Sequence, residues 1–440
     1  GYGKRERQAR GEEEGESATG GSRERNGNVP GDNDSGGDAA KSNDTASGGE
    51  GELELPVLPK AIPAVLDWAV EYSKAGKGPA VRLGPCQDLQ SVVCCVRFSL
   101  DGTKIATGSH SCVKVFDVNN NRELYVCRKM VDRNNSEADP YVRAVSFSPD
   151  GRSICAGMEG NSAKILRLAD PSVQPITLKG HESEVYSLDW VRHMIASGSG
   201  DGRIRLWDSR TGECRRALGD SSSGPTDGVT SVVLRQDTQV VAAASIDRIV
   251  HVWSTEDGGL RHRLDGHTES VYAVTFSLDG QLLVSAGLDK SIRVWDLGPG
   301  SDKRLSPEPR TLAGGHDDYV LSVCFSHDGK YIISGSKDRS VILWDTKTMT
   351  KVATLSGFRN SVIGVSASPT TRAFATGSGD QLVCMWKYTE PGASGGGGGG
   401  GGEGSAPSPT SSSPSSSAFS TETADPVAAS SAAAPGSGGQ

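Results

Sequence analysis

The chain is poor in aromatic and apolar residues, and it contains no long apolar run. Phe, Trp and Tyr together make up 5% of its 440 residues, and apolar residues of every kind make up 35%. A membrane-spanning helix needs about 18 or more consecutive apolar residues, so we predict none, and no apolar leader is visible near the start. The net charge of −8 disfavours direct contact with nucleic acid, because such proteins usually present a basic surface.

Motifs for catalysis and for metal binding are also missing. The sequence contains no CxxC pair, no phosphate-binding Gly loop followed by Lys, and no HExxH. We therefore predict no catalytic residues, no cofactor and no metal site. The nine Cys residues are scattered and odd in number. We interpret them as small buried side chains of a protein in a reducing intracellular compartment.

Both ends of the chain lack the apolar side chains that a core requires. Residues 1–55 are mostly Glu, Gly, Asp, Asn, Ser and Arg, and residues 390–440 are a Gly run followed by Ser, Pro and Ala. We predict both segments to be disordered, since they bury too little apolar surface to offset the entropy of ordering. Residues 56–79 are apolar enough to dock as a linker segment, which leaves 80–389 as the folded domain.

A motif that ends in Trp recurs through this domain. Five near-copies, each with Asp six residues before the Trp, read SGSGDGRIRLWD, AASIDRIVHVWS, SAGLDKSIRVWD, SGSKDRSVILWD and TGSGDQLVCMWK. Successive Trp residues are 46, 42, 49 and 42 positions apart. Two earlier copies carry Phe116 and Leu166 at the Trp position, which makes seven units. A period near 43 residues is typical of a WD-repeat β-propeller with four strands in each blade.

The ends of the repeat predict how the ring closes. Runs such as VYAVTFSLDG alternate apolar residues and end in Asp-Gly, a pair that favours a tight hairpin turn. The seventh unit passes into Gly-rich sequence soon after Trp386, so it lacks its outer strand. Residues Val81 to Leu83 resemble the outer strands of other units, and we expect them to complete blade seven. The prediction is an all-β fold, a seven-bladed propeller without long exposed edges.

Recurrent His, Asp and Trp residues predict a structural network. A His on the loop into a blade, Asp in the turn and Trp on the third strand can form a buried hydrogen-bond chain. Blade four has Pro225 and blade seven has Phe358 at the His position. A pattern that tolerates such losses indicates scaffolding and not catalysis. The predicted network residues are His181, Asp201, Trp207, Asp247, Trp253, His267, Asp289, Trp295, His316, Asp338, Trp344, Asp380 and Trp386.

Strand geometry aims two residues of each blade at the upper face, which surrounds one mouth of the channel. The first follows the first Val of the inner strand, and this set is Cys94, Arg143, Tyr186, Thr230, Tyr272, Leu321 and Ile363. The second precedes the turn Asp, and this set is Ser109, Glu159, Gly200, Ile246, Leu288, Lys337 and Gly379. Neighbouring loops add Tyr141, Tyr319 and Asn360. Apolar clusters with Tyr are typical of protein-binding hot spots, whereas a reader of phosphorylated peptides would present an Arg cluster.

Several strings together carry a family resemblance. SVVCCVRFSLDGTKIATGS, YVRAVSFSPDGRSICAGMEG, GHESEVYSLDW and SGSGDGRIRLWDSRTGEC resemble the propeller of the fungal Tup-type general transcriptional corepressors, which are functional cousins of Groucho. The likeness runs in order from about Val81 to Tyr388. It implies a nuclear protein that DNA-bound repressors recruit to promoters, and that contacts histones and deacetylase complexes.

The resemblance also implies where repressor segments bind. The positions that match the family's peptide-binding face are Cys94, Tyr141, Ala144, Glu159, Ile246, Tyr272 and Asn360. Family members also carry an N-terminal helical segment that forms tetramers and binds a tetratricopeptide-repeat partner. Residues 1–50 contain no heptads, so tetramer formation and that partner stay open.

Other functions are compatible with the same fold, because a fold does not fix a function. The alternative is a cytoplasmic WD-repeat scaffold or a ubiquitin-ligase substrate adaptor. An adaptor would need an F-box or a similar docking helix, and none is visible in the sequence. An enzyme is the weakest interpretation, since no unit of the repeat has distinctive catalytic residues.

Overall fold

The computed structural model describes residues 68–73, 78–110, 112–127, 141–157, 161–170, 172–219, 224–298, 308–312 and 314–390. The tails predicted at 1–55 and 390–440 therefore lie outside the described residues, apart from residue 390, as does most of the segment 56–79. The described residues form strands connected by turns and loops, and they contain no helix.

The strands follow one another at short intervals along the chain. Those of the first part are β1 (Ala69–Tyr72), β2 (Val81–Asp88), β3 (Cys95–Phe98), β4 (Lys104–Ser109), β5 (Cys112–Asp117), β6 (Glu123–Cys127), β7 (Ala144–Phe147), β8 (Ser153–Gly157), β9 (Ser162–Arg167) and β10 (Ile176–Lys179). Those of the middle are β11 (Val185–Val191), β12 (Met194–Ser199), β13 (Ile204–Asp208), β14 (Cys214–Leu218), β15 (Val229–Leu234), β16 (Val240–Ser245), β17 (Val250–Ser254) and β18 (Leu260–Leu264). The last are β19 (Val271–Phe276), β20 (Leu282–Gly287), β21 (Ile292–Asp296), β22 (Arg310–Leu312), β23 (Val320–Phe325), β24 (Tyr331–Ser336), β25 (Val341–Asp345), β26 (Thr350–Ser356), β27 (Val362–Ala367), β28 (Ala373–Ser378) and β29 (Leu382–Tyr388).

These strands form seven antiparallel sheets, which confirms the predicted number of blades. Blades one to five consist of four consecutive strands each, beginning at β3, β7, β11, β15 and β19. The inner strand of every blade contacts the inner strand of the next, and β27 of blade seven contacts β3 of blade one. The described residues therefore close into a complete ring, a seven-bladed β-propeller.

The ring closes where the first part of the chain meets the last. Strand β2 is the outer strand of blade seven and runs antiparallel to β29, with Val81 opposite Tyr388 and Leu83 opposite Trp386. This pairing confirms the predicted closure. The closing strand is longer than predicted because it continues to Asp88, after a register shift between Leu83 and Cys86.

A short strand adds to blade six beyond the predicted four. Strand β1 pairs antiparallel with β26, with Ala69 opposite Ser356, so this sheet has five strands. The indole of Trp68, just before β1, meets the rings of Phe358 and Trp386 edge-on, at centroid distances of 4.5 and 5.0 Å. The segment thus covers the outer edge of blade six and packs against blade seven.

The core lies between neighbouring blades. Trp207, Trp253, Trp295 and Trp386 are among the largest fully buried side chains. Phe116 and Leu166, which replace Trp in blades one and two, are each 4% exposed. Apolar side chains at the predicted Trp position are therefore buried even where the Trp itself is lost.

Two cysteines contradict the interpretation that all nine are separate buried thiols. Cys86 on β2 and Cys384 on β29 form a disulfide that links strands 298 residues apart in sequence. The reason is the register of the closing strand, which sets the two residues directly opposite each other. The prediction of a reducing compartment from cysteine usage is not supported.

Candidate functional site: the upper face

A β-bulge marks the beginning of the inner strand in most blades. In blade three, Val185 pairs with Ser199 and Ser187 with Gly198, so the register shifts at Tyr186, which is the extra residue of the bulge. The same register shift occurs at Thr230, Tyr272, Leu321 and Ile363. A bulge disrupts the alternation of side chains and re-aims the extra residue. The first predicted set of face residues therefore coincides with the bulges of blades three to seven.

The turn between the second and third strands binds back to the loop before each bulge. The backbone N–H of Gly200 donates to Glu184 O at 3.0 Å, and that of Ile246 donates to Gly228 O at 2.9 Å. Leu288, Lys337 and Gly379 make the equivalent bonds to Ser270, Tyr319 and Ser361. Each bond holds a residue of the second predicted set beside the bulge of its own blade.

Contacts between blades join these positions into one surface on blades two to four. The guanidinium of Arg143 lies 5.9 Å from the ring centroid of Tyr186. A Cβ at Gly200 would lie 3.2 Å from the Tyr186 ring, and one at Gly228 would lie 3.2 Å from Cδ1 of Ile246. The absence of side chains at these two glycines lets Tyr186 and Ile246 approach the backbone closely.

Further contacts lie within blades six and seven and between blades one and two. The Lys337 ammonium lies 4.4 Å from the Tyr319 ring centroid and 3.5 Å from a carboxylate oxygen of Asp318. Asn360 donates weakly to Gly379 O at 3.4 Å. The His110 and Tyr141 rings meet edge-on with centroids 5.2 Å apart.

The predicted face residues differ in exposure. Ile246 and Tyr319 are 36% and 37% exposed, and Lys337 and Asn360 are also exposed. The half-buried members are Cys94, Tyr141, Arg143, Tyr186, Tyr272, Leu288 and Leu321. The surface is therefore a shallow ring in which aromatic and aliphatic side chains show one side to solvent.

Two of the predicted face residues are buried, and a third lies outside the described residues. Ala144 is 6% exposed and packs in the core between blades two and three, because it lies inside β7, in regular pairing with Gly157 of β8. Ser109 is 3% exposed, so its side chain offers little surface. Glu159 lies outside the described residues.

The face includes one acidic residue, Glu184, that the repeat pattern did not predict. Glu184 directly precedes the first Val of β11, and its carbonyl anchors the turn at Gly200. A hydrogen bond from Ser183 lowers the pKa of its carboxyl group, with a smaller contribution from the charge of Arg143. Its place before the first Val of an inner strand was the available signal.

The His–Asp–Trp network forms completely in blades three, five and six. In blade three, His181 Nδ1 lies 2.8 Å from Asp201 Oδ2 and Nε2 lies 2.7 Å from Ser197 Oγ, which also accepts from Trp207 Nε1 at 2.8 Å. Equivalent chains are His267–Asp289 with Ser285 and Trp295, and His316–Asp338 with Ser334 and Trp344. These chains fix the loops that carry the face.

Hydrogen bonding keeps the carboxylates of this network ionised. Burial opposes ionisation of Asp201, but bonds from His181 and from backbone N–H groups outweigh it and lower the pKa to about 2. In the same way, burial opposes and His316 favours the charged form of Asp338, whose pKa is also lowered to about 2. These groups are paired and enclosed, which suits a scaffold better than acid–base catalysis.

Blades four and seven use different groups. In blade four, His251 of β17 takes the place of the missing loop His, with Nε2 at 3.2 Å from Asp247 Oδ2. In blade seven, Trp386 Nε1 donates to Thr376 Oγ1 at 3.0 Å. Asp380 accepts from the backbone N–H groups of Arg359 and Leu382 and from the hydroxyl of Ser378. Phe358 and Trp68 fill the space beside Trp386 with aromatic rings.

The described residues show neither a metal site nor a membrane span. Within the described ranges, no three His, Cys, Asp or Glu side chains come together in a way that could hold a metal ion. None of these ranges forms a helix with the length and apolarity needed to cross a bilayer.

Comparison with known families agrees with this architecture. The family described as "WD domain, G-beta repeat" matches residues 85–117, 173–208, 212–254, 258–296, 308–345 and 349–387, more than half of the chain. The chain belongs to this WD-repeat family. The unmatched residues 118–172 include the first three strands of blade two, where the sequence carries Leu166 in place of Trp.

Several relatives are named as transcriptional corepressors or repressors. The general transcriptional corepressor tupA of Dictyostelium discoideum is 38% identical over 209 residues, which cover 46% of this chain and 34% of that protein. The transcriptional repressor rco-1 of Neurospora crassa is 40% identical over 143 residues, covering 31% and 23%. Protein groucho of Drosophila melanogaster is 26% identical over 172 residues, covering 38% and 22%. These similarities confirm the resemblance to Tup-type propellers, although the match spans about a third or less of each relative.

Proposed function

We propose that this chain is a nuclear, corepressor-type scaffold whose upper face binds short segments of DNA-bound repressors and of chromatin proteins such as histones or deacetylase complexes. It acts by binding and not by catalysis. The observation that carries the proposal is the ring of bulge residues and turn residues, in which a backbone hydrogen bond ties each turn residue to the loop before the bulge of its blade. The similarity to named transcriptional corepressors supports the same conclusion.

The chemistry of the face favours an amphipathic ligand with an apolar anchor. Tyr186, Ile246 and Tyr272 provide rigid aromatic and aliphatic surface, which contributes affinity at low entropic cost. The cations of Arg143 and Lys337 lie over the rings of Tyr186 and Tyr319, so they do not converge as an anion-binding cluster. A short peptide with apolar side chains and few charges fits this surface better than a phosphorylated one.

The binding test uses peptides selected on the folded protein. A phage-displayed library of random 12-residue peptides is panned on the full chain, and selected peptides are measured by fluorescence polarisation. We expect Tyr272→Ala and Ile246→Ala each to weaken binding by about tenfold or more, as expected for interface anchors worth 1–2 kcal/mol. Leu278→Ala, which removes a 59% exposed side chain at a hairpin tip away from the face, is the matched control.

The corepressor role needs a separate measurement. The full chain is fused to a heterologous DNA-binding domain, and expression of a reporter with the matching operator is recorded. We expect repression by the wild type and a loss of repression in Tyr272→Ala with unchanged protein level. Peptide binding without repression would indicate a binding scaffold that is not a corepressor. If both face variants and Leu278→Ala bound the peptides with equal affinity, the upper face would be rejected as the binding surface.

A further inference from the structure

The disulfide of the ring closure joins two strands that meet only when the propeller is complete. Cys86 and Cys384 lie opposite each other in the antiparallel pair β2–β29, and their Cα atoms are 4.1 Å apart. Such a short Cα–Cα separation is typical of the non-hydrogen-bonded pairs of an antiparallel ladder, in which the side chains are nearest. The bond closes a loop of 298 residues, almost the whole propeller.

The thiol pair is particular to this blade. The residue two positions before the Trp position is Lys114, Lys164, Arg205, His251, Arg293 and Ile342 in blades one to six, and it is Cys384 in blade seven. In blade four, for example, the residue opposite His251 on the outer strand is Arg263. Among the described pairs, only blade seven has a cysteine at this outer-strand position as well. A repeated fold therefore carries a covalent link only where its two ends meet.

We propose that Cys86 and Cys384 form a reversible thiol–disulfide latch on the ring closure. Oxidation by a low-molecular-weight disulfide such as oxidised glutathione locks β2 onto β29, and reduction by its thiol form leaves the closure held by hydrogen bonds and packing alone. One thiolate attacks the small disulfide and releases one small thiol, and the second thiolate then displaces the other. Two protein thiols thus lose two electrons and two protons, which the small disulfide takes up as two thiols.

Burial makes the latch slow and selective. Cys86 is 7% and Cys384 is 1% exposed, so a small thiol reaches the bond only when β2 separates locally. Among other cysteines, burial raises the pKa of Cys155 and raises that of Cys324 to about 12, which makes these thiols poor nucleophiles. These two thiols therefore compete little with the pair that the register brings together.

The latch also lies next to the upper face. Strand β2 ends at Asp88, and Leu89 N–H then donates to Gln381 O at 3.0 Å. Leu89 and Gln381 also line a cavity of about 550 Å³, together with Val92 and Tyr141 among others. Because Cys86 and Cys384 are each three residues from Leu89 and Gln381, fixing the closure fixes the part of the face that lies between blades seven and one.

The experiment equilibrates the full chain in glutathione buffers that range from fully reduced to fully oxidised. Acid quenching, alkylation and peptide mass spectrometry then report which cysteines carry a free thiol. We expect the Cys86 and Cys384 peptides to become protected together as the oxidised fraction rises, and to be released again by dithiothreitol. Cys214 is exposed and is the control. Its thiol should be alkylated by N-ethylmaleimide in every buffer without excess disulfide.

Thermal unfolding measures the mechanical effect of the latch. The oxidised wild type should melt about 5–10 °C above the reduced wild type, since a cross-link over so long a loop restricts the unfolded chain strongly. Cys86→Ser and Cys384→Ala should abolish this difference, and Cys214→Ser should keep it. The proposal fails if both peptides alkylate in all buffers, if the bond resists dithiothreitol in the folded chain, or if the variants keep the redox-linked shift. None of these readouts involves peptide binding, so they are independent of the proposed function.

Discussion

The imidazole of His251 stacks on the indole of Trp253, with ring centroids 5.3 Å apart and planes inclined by 13°. From this position its Nε2 reaches Asp247 Oδ2 at 3.2 Å. Pro225 occupies the place of the usual loop His in this blade, so the imidazole comes from the third strand instead. Blade four therefore keeps a histidine–carboxylate pair although the sequence motif is broken.

The first prediction concerns this substituted pair. His251→Ala should lower the free energy of unfolding by about 2–4 kcal/mol, because it opens a cavity and leaves the buried Asp247 carboxylate without its side-chain partner. Urea denaturation of the full chain measures this loss. His193→Ala, at an exposed turn, should change stability by less than about 0.5 kcal/mol. Equal midpoints for the two variants would contradict the assigned role of His251.

The second prediction concerns acid stability. The pKa of Asp338 is about 2 in the folded chain, below its usual value of 3.8, so its ionisation stabilises the fold above pH 4. That contribution, about 2 kcal/mol, is lost as the pH falls from about 4 to about 2. Urea midpoints measured across this range should fall less steeply in Asp338→Asn than in the wild type. Parallel profiles would show that the carboxylate is not responsible.

The third prediction concerns the segment before the propeller. Trp68→Ala should lower the free energy of unfolding by about 2 kcal/mol, since it removes a half-buried ring from contact with Phe358 and Trp386. The melting temperature should fall accordingly. Trp68→Phe should retain most of the stability, because the indole Nε1 is buried without a hydrogen-bond partner. Calorimetry of both variants checks this order. A loss of equal size in Trp68→Phe would indicate that the indole N–H matters after all.

Much of the fold could be predicted because the sequence repeats it. Periodic Trp and Asp residues fix the number of blades, and the missing outer strand of blade seven predicts its replacement by residues Val81 to Leu83. The His–Asp pairs of blades three, five and six follow from the motif alone. His251 was missed because its side chain substitutes in space and not in sequence position.

The disulfide could not be predicted for a reason of register. Extending the pairing of Leu83 with Trp386 without interruption would set Cys86 opposite Val383, one residue away from Cys384. The irregularity between Leu83 and Cys86 shifts the pairing by one position and brings the thiols together. A shift of this kind changes which side chains share a face, and no local sequence pattern predicts it. Strand β1 was missed for a similar reason, since four residues carry little periodic signal.

The bulges at the inner strands have a further consequence for how this protein can change. In a strand, successive side chains point to opposite faces of the sheet, and each bulge residue falls outside this alternation. Thr230 still serves the architecture, because its hydroxyl donates to Val271 O of the next blade at 2.6 Å. At the other bulges we expect that the side chain can be exchanged for a larger, smaller or charged one while the sheets keep their packing. The propeller thus separates the positions that maintain its architecture from those that choose a ligand, so new specificities can arise on it one blade at a time.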